Sequence, residues 1–221
     1  RKQLQSQSAA ILINANEQYS MTLAAFFKAH YIQNGGQIVW EGFYSGKAVD
    51  FSDILTEIKR IRPDVCFIPG YSRDSGFLIK QAVGMDIHSH FIGGDGWGEQ
   101  ILKYSGGAVE GAYFSTHWHP DIKSAMNSHL AAIYAREFAE PIPNDIRIPL
   151  TYDAVNLLAD AIQRSGSAER VGIRDSLART SGFKGAAGTI TFDENRDPIQ
   201  KEAVFMQYLK GKWTYLTSFV P

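Results

Sequence analysis

Short apolar runs that alternate with helix-like segments most constrain the fold of this chain. Residues 10–13 and 65–68 are apolar runs bounded by polar or turn-forming residues, which is typical of strands covered on both faces. Between them, residues 51–61 carry apolar side chains at helical spacing. This alternation predicts an α/β fold built on a doubly wound parallel sheet.

The same alternation extends over the first half of the chain, whereas the second half has a different pattern. In the first half, strands are expected at residues 10–13, 37–40, 65–68, 91–92 and 111–115. In the second half, helices are expected at 122–138, 151–164 and 171–180, and strands at 188–192, 204–208 and 213–216. The last two strands flank Lys210-Gly211-Lys212 and predict an antiparallel hairpin.

Charge and hydropathy exclude two broad classes of protein. The 221 residues include 22 Lys and Arg against 23 Asp and Glu, a net charge of −1, which argues against binding nucleic acid by general phosphate neutralisation. No apolar run reaches the roughly 18 residues that cross a bilayer. The chain begins with Arg1-Lys2 rather than methionine and shows no signal peptide, so we expect a processed chain or part of a longer protein.

Three loops follow strands of the predicted sheet and carry candidate binding residues. Tyr19 follows the first strand, Tyr71 the third, and Asp95 with Trp97 the fourth. Ligands of open parallel sheets bind beyond the carboxyl ends of the strands, and a carboxylate with phenol rings suits a small cationic group. The alternative is that the tyrosines pack over the strand ends and Asp95 caps the next helix.

Other reactive side chains do not form a catalytic or metal-binding pattern. His117 and His119 are two potential ligands, too few for a metal site, and a surface loop is the better interpretation. Cys66 lies in an apolar strand, where a buried, inert thiol is expected. Because the chain has neither a nucleophile elbow nor a phosphate-binding loop, we expect no enzyme activity, no cofactor and no metal.

An ordered set of segments resembles the type I periplasmic binding proteins, specifically the branched-chain amino-acid (leucine, isoleucine, valine) receptors of ABC transporters. The segments include Asn16–Ser20, Val49–Ser52, Arg62–Val65, Gly70-Tyr71, Gly94–Gly98, Thr151–Val155 and Gly185–Asp193, in the order that the family has them. The resemblance implies two α/β lobes, of which residues 7–117 and 203–221 form the second lobe. Residues 118–202 correspond to the returning part of an incomplete first lobe.

The resemblance also implies a function and a site. Tyr19, Tyr71 and Asp95 match second-lobe residues that hold the ligand's ammonium group, while Trp97 beside them narrows the pocket. Asp95 stands where some members have glutamate, which shortens the reach by one methylene group. The implied protein captures an amino acid or related solute between its lobes outside the cytoplasm and delivers it to a membrane permease. The alternative is a ligand-sensing regulatory domain on the same fold.

An incomplete lobe predicts self-association. Val155, Leu158, Ala159 and Ile162 form an apolar stripe on a helix whose covering sheet this chain does not supply. We therefore expect the stripe either to dock on a second copy or to pack non-natively within the chain.

Overall fold

The computed structural model describes residues 4–220, which cluster into two compact units. The first unit extends to Ser115 and includes Phe205–Thr214, and the second consists of Thr116–Val204 with the residues from Tyr215 onward. The expected division into lobes at 117/118 and 202/203 stays a prediction.

Nine strands and seven helices are numbered here in chain order within the described residues. The strands are β1 (Ser8–Asn14), β2 (Gln37–Tyr44), β3 (Val65–Phe67), β4 (His90–Gly93), β5 (Tyr113–Thr116), β6 (Phe183–Gly185), β7 (Gly188–Ile190), β8 (Ala203–Leu209) and β9 (Lys212–Phe219). The helices are α1 (Gln18–Gln33), α2 (Ser52–Ile61), α3 (Ser72–Gly84), α4 (Gln100–Ser105), α5 (Ala125–Phe138), α6 (Arg147–Ser165) and α7 (Arg170–Ala178).

The main sheet is parallel in its first part, as predicted. Its seven strands lie in the order β2-β1-β3-β4-β5-β8-β9, and the first four neighbouring pairs in that order are parallel. The strands β8 and β9 are joined by Lys210 and Gly211, both with positive φ, which is the hairpin turn that the sequence indicates. The doubly wound α/β class is confirmed.

Strand position in the sheet explains the hydrophobic pattern of each strand. The central strand β1 is buried over Ala9–Asn14, whereas the edge strand β2 alternates between exposed and partly buried residues until it reaches the buried Tyr44. Phe67 on β3 stacks against Phe27 of α1 at 4.0 Å between ring centroids, so that α1 covers this part of the sheet. Phe26, the residue before Phe27 on α1, is 62% exposed and takes no part in that core.

The second unit is mainly helical and differs from the predicted elements in several places, of which two concern α6 and the strand before β7. Helix α6 begins at Arg147, four residues earlier than expected, because Pro149 lies in the first turn, where its missing N–H group costs nothing. A short strand, β6, precedes β7 and pairs with it in an antiparallel hairpin that the sequence pattern did not indicate. Asp153 of α6 holds this hairpin's turn by accepting the N–H groups of Ala186 (2.6 Å) and Ala187 (2.8 Å).

The outer face of α6 carries the apolar stripe that the sequence indicates. Val155 is 63% exposed, Leu158 44% and Ile162 37%. The opposite face, with Leu157 and Ala161, is buried within the unit. Helix α6 therefore has a buried apolar face and, on the opposite side, an apolar face that is exposed.

Candidate functional site

The candidate site lies at the carboxyl edge of the sheet in the first unit, where the loops after β1, β3 and β4 meet. These three strands are neighbours in the order β1-β3-β4. Tyr19 stands in the first turn of α1, Tyr71 is the N-cap residue of α3, and Asp95 follows β4. Adjacent parallel strands bring their carboxyl-end loops together, which explains how residues 76 positions apart come into contact.

Tyr19 and Asp95 form the centre of the site. The Tyr19 hydroxyl donates to Asp95 Oδ1 at 2.7 Å and accepts the Gly96 N–H group at 3.0 Å. Burial, and then the negative charge of Asp95, raise the pKa of Tyr19 well above its ordinary value, so the phenol keeps its proton. Because that single proton is donated to Asp95, Tyr19 orients the carboxylate rather than offering a hydrogen bond to a ligand.

Tyr71 adds a partly exposed aromatic ring to the site. Its ring stacks on Tyr19 with the centroids 5.3 Å apart and the planes inclined by 22°. Tyr71 is 44% exposed, so part of it remains open to solvent. A carboxylate next to an open aromatic face is a suitable environment for a small organic cation, because both attract positive charge.

Two glycines allow the loop after β4 to come close to its neighbours. A Cβ atom at Gly96 would lie 2.9 Å from the carbonyl oxygen of Gly70, and one at Gly94 would lie 2.6 Å from the Tyr19 hydroxyl. Real Cβ atoms do not approach other groups this closely. At Gly96, where the neighbour is backbone, close packing of the loops therefore requires glycine, whereas at Gly94 a side chain would have to displace the ends of Tyr19 and Leu23.

Sequence reasoning missed a serine that connects two of these loops. Ser72, the first residue of α3, donates from Oγ to the Gly96 carbonyl oxygen (3.3 Å) and accepts the Gly98 N–H group (3.1 Å). A polar residue at the start of a helix is an ordinary capping signal, so the sequence offered no reason to single it out.

Trp97 is placed differently from the other three predicted residues. It is 2% exposed, and its ring occupies the space beside Gly93, where a Cβ atom would lie 2.2 Å from it. The indole therefore packs beneath the loop and not on the surface formed by Tyr71 and Asp95. Its assignment as a ligand-binding residue stays a prediction that this burial does not favour.

The other reactive side chains are in environments that suit structural roles. Burial raises the pKa of the Cys66 thiol to about 12, as expected for an inert buried cysteine. His119 accepts the Asp121 N–H group at 3.2 Å, and burial lowers the pKa of this imidazole against the opposing effect of Asp121. Within residues 4–220, no group of three or more histidine, cysteine or acidic residues could hold a metal ion.

Membrane-spanning helices are also absent from the described part of the chain: none of its helices combines the length and apolarity that crossing a bilayer needs.

A family model and individual relatives both match this sequence. A family model described as periplasmic binding protein matches residues 1–212. Leu/Ile/Val-binding protein homolog 1 of Brucella abortus is 26% identical over 185 residues, which are 81% of this chain and 48% of that protein. The leucine-, isoleucine-, valine-, threonine- and alanine-binding protein of Pseudomonas aeruginosa is 26% identical over 84% of this chain and 49% of its own length. The chain thus spans about half the length of these curated relatives.

Comparison with solved structures agrees with the sequence relationship. The leucine-binding protein LivK of Thermotoga maritima matches with a TM-score of 0.93 and 29% identity, over 100% of this chain and 62% of that one. LivJ of Streptococcus pneumoniae, a branched-chain amino-acid transporter substrate-binding protein solved with isoleucine, matches with a TM-score of 0.84 and 25% identity. That match covers 100% of this chain and 61% of LivJ.

Proposed function

This chain belongs to the periplasmic binding protein family, and we propose that it supplies the ammonium-binding part of an extracytoplasmic receptor for a small amino acid. One observation carries the proposal: the Asp95 carboxylate and the partly exposed ring of Tyr71 both contact Tyr19, the first by a hydrogen bond and the second by stacking. A ligand ammonium group binds Asp95 by a charge-assisted hydrogen bond and lies near the aromatic face. Relatives whose names specify leucine, isoleucine or valine support an aliphatic amino acid as the ligand.

The proposed receptor acts by closing around its ligand. In the complete protein, residues 7–117 and 203–221 form the second lobe, and residues 118–202 the returning part of the first. A ligand that contacts both lobes stabilises the closed form, since that form alone provides both sets of contacts. The closed receptor then delivers the amino acid to the membrane permease of an ABC transporter.

A titration followed by nuclear magnetic resonance tests ligand binding by the chain itself, because this method detects weak complexes. The probes are leucine and N-acetyl-leucine, which differ in whether the amino group is charged. We expect leucine to shift the amide resonance of Gly96 and N-acetyl-leucine to leave it unchanged. Equal shifts from both compounds contradict the proposal. The absence of any shift with leucine or isoleucine at about 10 mM contradicts it as well, because that concentration largely saturates even a site with a millimolar dissociation constant.

A further inference from the structure

A buried polar cluster lies under the loop that carries Tyr71. Its members are Asn14, Tyr44 and Asp74, which are 2%, 5% and 4% exposed. Asn14 ends β1, Tyr44 ends β2, and Asp74 stands in the first turn of α3, which follows β3. The cluster therefore links the carboxyl ends of three neighbouring strands, at the edge of the sheet where the candidate site lies.

The Asp74 carboxylate is the centre of this cluster. Its Oδ2 atom accepts the Tyr44 hydroxyl at 2.5 Å and the Asn14 side-chain amide at 3.3 Å. Burial and the charge of Asp74 raise the pKa of Tyr44 far above its ordinary value, so the phenol remains a hydrogen-bond donor. Charge-assisted bonds of this kind are short and strong, so loss of the Tyr44 hydroxyl leaves the buried carboxylate with only the longer bond from Asn14.

Gly70 connects the cluster to the candidate site. A Cβ atom at Gly70 would lie 2.3 Å from the Tyr44 hydroxyl and 2.6 Å from Asp74 Oδ2. On its other side, the Gly70 carbonyl oxygen is the atom that leaves no room for a Cβ at Gly96. The Gly70 backbone is thus packed between the buried pair and Gly96, which is hydrogen-bonded to Tyr19.

We propose that Tyr44 and Asp74 are positioning residues for the amino-acid site. By fixing Gly70, they hold the next residue, Tyr71, in its stack on Tyr19 and keep Gly96 within reach of the Tyr19 hydroxyl. Neither residue touches the ligand, because both are buried. The inference rests on the proposed function, since it assigns these residues to the site where the ligand ammonium binds.

Amide hydrogen exchange of Gly96 in the 221-residue chain tests the positioning without a ligand. In Tyr44→Phe the bond to Asp74 is lost, and we expect Gly96 to exchange at least about tenfold faster, because the local opening that breaks its bond to Tyr19 becomes easier. The matched control is Tyr31→Phe, which removes another buried phenol bond, from Tyr31 to Ser6 Oγ (3.1 Å). Tyr31 packs against Ala9 and Val65, where β1 and β3 begin, so Gly96 exchange should stay within about twofold of the unsubstituted chain.

Two Asp74 variants separate positioning from loss of stability. Asp74→Asn keeps an oxygen that accepts the Tyr44 hydroxyl, so Gly96 is expected to exchange as slowly as in the unsubstituted chain. Asp74→Leu removes that acceptor, so Gly96 is expected to exchange as fast as in Tyr44→Phe. Equal acceleration in Tyr44→Phe and Tyr31→Phe indicates general destabilisation and overturns the inference, as does unchanged exchange in Tyr44→Phe.

Leucine titration of the same variants distinguishes the inference from the function on which it rests. We expect the leucine-induced shift of Gly96 to need at least about tenfold more ligand in Tyr44→Phe, and no more than about threefold more in Tyr31→Phe. Equal leucine affinity in Tyr44→Phe and the unsubstituted chain overturns the positioning role and leaves the proposed function intact. Fast Gly96 exchange in Tyr44→Phe, in a chain that binds no amino acid, overturns the proposed function and supports positioning of the loop.

Discussion

The Tyr19 hydroxyl donates its only proton to Asp95, which lies 76 residues further along the chain. The phenol therefore holds the carboxylate in one orientation before any ligand arrives. Such preorganisation reduces the conformational entropy that is lost when a ligand binds. It also gives the two residues different roles. In the proposed site, Asp95 provides the charge and Tyr19 fixes where that charge is directed.

Replacing Asp95 with asparagine should weaken amino-acid binding by a receptor that contains this chain. Loss of the counter-charge leaves a desolvated ammonium group unpaired, which costs about 2–4 kcal/mol, or roughly 30- to 1,000-fold in affinity. Isothermal titration calorimetry with leucine, isoleucine and valine measures the change. The matched control is Glu99→Gln, in which the substituted acid is the N-cap residue of α4, and it should change affinity by less than about tenfold. Unchanged affinity in Asp95→Asn contradicts the assignment.

Replacing Gly96 with alanine should destabilise the first unit. The added methyl group meets the Gly70 carbonyl oxygen at 2.9 Å, and backbone can relieve the contact only by moving the loop. We expect a loss of about 1–3 kcal/mol in the free energy of unfolding, which denaturant titration measures. Gly98→Ala is the matched control in the same loop, because a Cβ atom there meets nothing within 4 Å.

The two glycine variants give a direct comparison. Gly98→Ala should stay within about 0.5 kcal/mol of the original chain, as for an open surface position. Equal losses in both variants would indicate that the loop tolerates no side chain for reasons other than the contact with Gly70.

The fold class follows from the sequence more directly than the site does. Apolar runs such as residues 65–68 identify buried strands because the central strands of a parallel sheet are covered on both faces. The grouping of Tyr19, Tyr71 and Asp95 follows from the same logic, since loops after neighbouring strands meet. The sequence predicted their proximity without predicting that Tyr19 donates to Asp95.

Some features depend on packing that no local pattern reveals. Trp97 has glycine on both sides in a polar loop, as an exposed residue would, yet its ring fills the space beside Gly93. Likewise, Tyr44 and Asp74 are 30 residues apart, and each alone resembles an ordinary strand-end or helix-start residue. Their pairing depends on the crossover that brings the first turn of α3 to the end of β2, and sequence periodicity does not encode that contact.

The stability of the first unit should depend on pH through Asp64. Its Oδ2 atom accepts the N–H groups of Gln7 and Ser8, each at 2.8 Å, and these bonds lower the pKa of the carboxyl group. A carboxyl group whose pKa is lower in the folded chain stabilises that chain above its unfolded pKa of about 4 and loses the effect as pH falls through the folded value.

Thermal unfolding of Asp64→Ala measures this contribution. We expect the variant to melt a few degrees below the original chain at pH 7, and the difference to shrink as the pH falls below about 4. The control, Glu57→Ala, removes an exposed ion pair with Arg60 and should change the free energy of unfolding by less than about 1 kcal/mol. A melting difference for Asp64→Ala that is the same at pH 7 and pH 3 contradicts the role of its ionised form.

The apolar outer face of α6 should make the isolated chain self-associate. Val155, Leu158 and Ile162 expose a continuous stripe, and such a surface lowers its free energy by leaving water. Light scattering at rising protein concentration should show a mass above that of the monomer, and Val155→Glu should restore the monomer by placing a charge in the contact. The matched control is Phe26→Glu on α1 of the first unit, because Phe26 is 62% exposed and Val155 63%. A monomer at all concentrations, without binding of a fluorescent apolar dye, contradicts this prediction, and dissociation by Phe26→Glu alone would place the contact on α1.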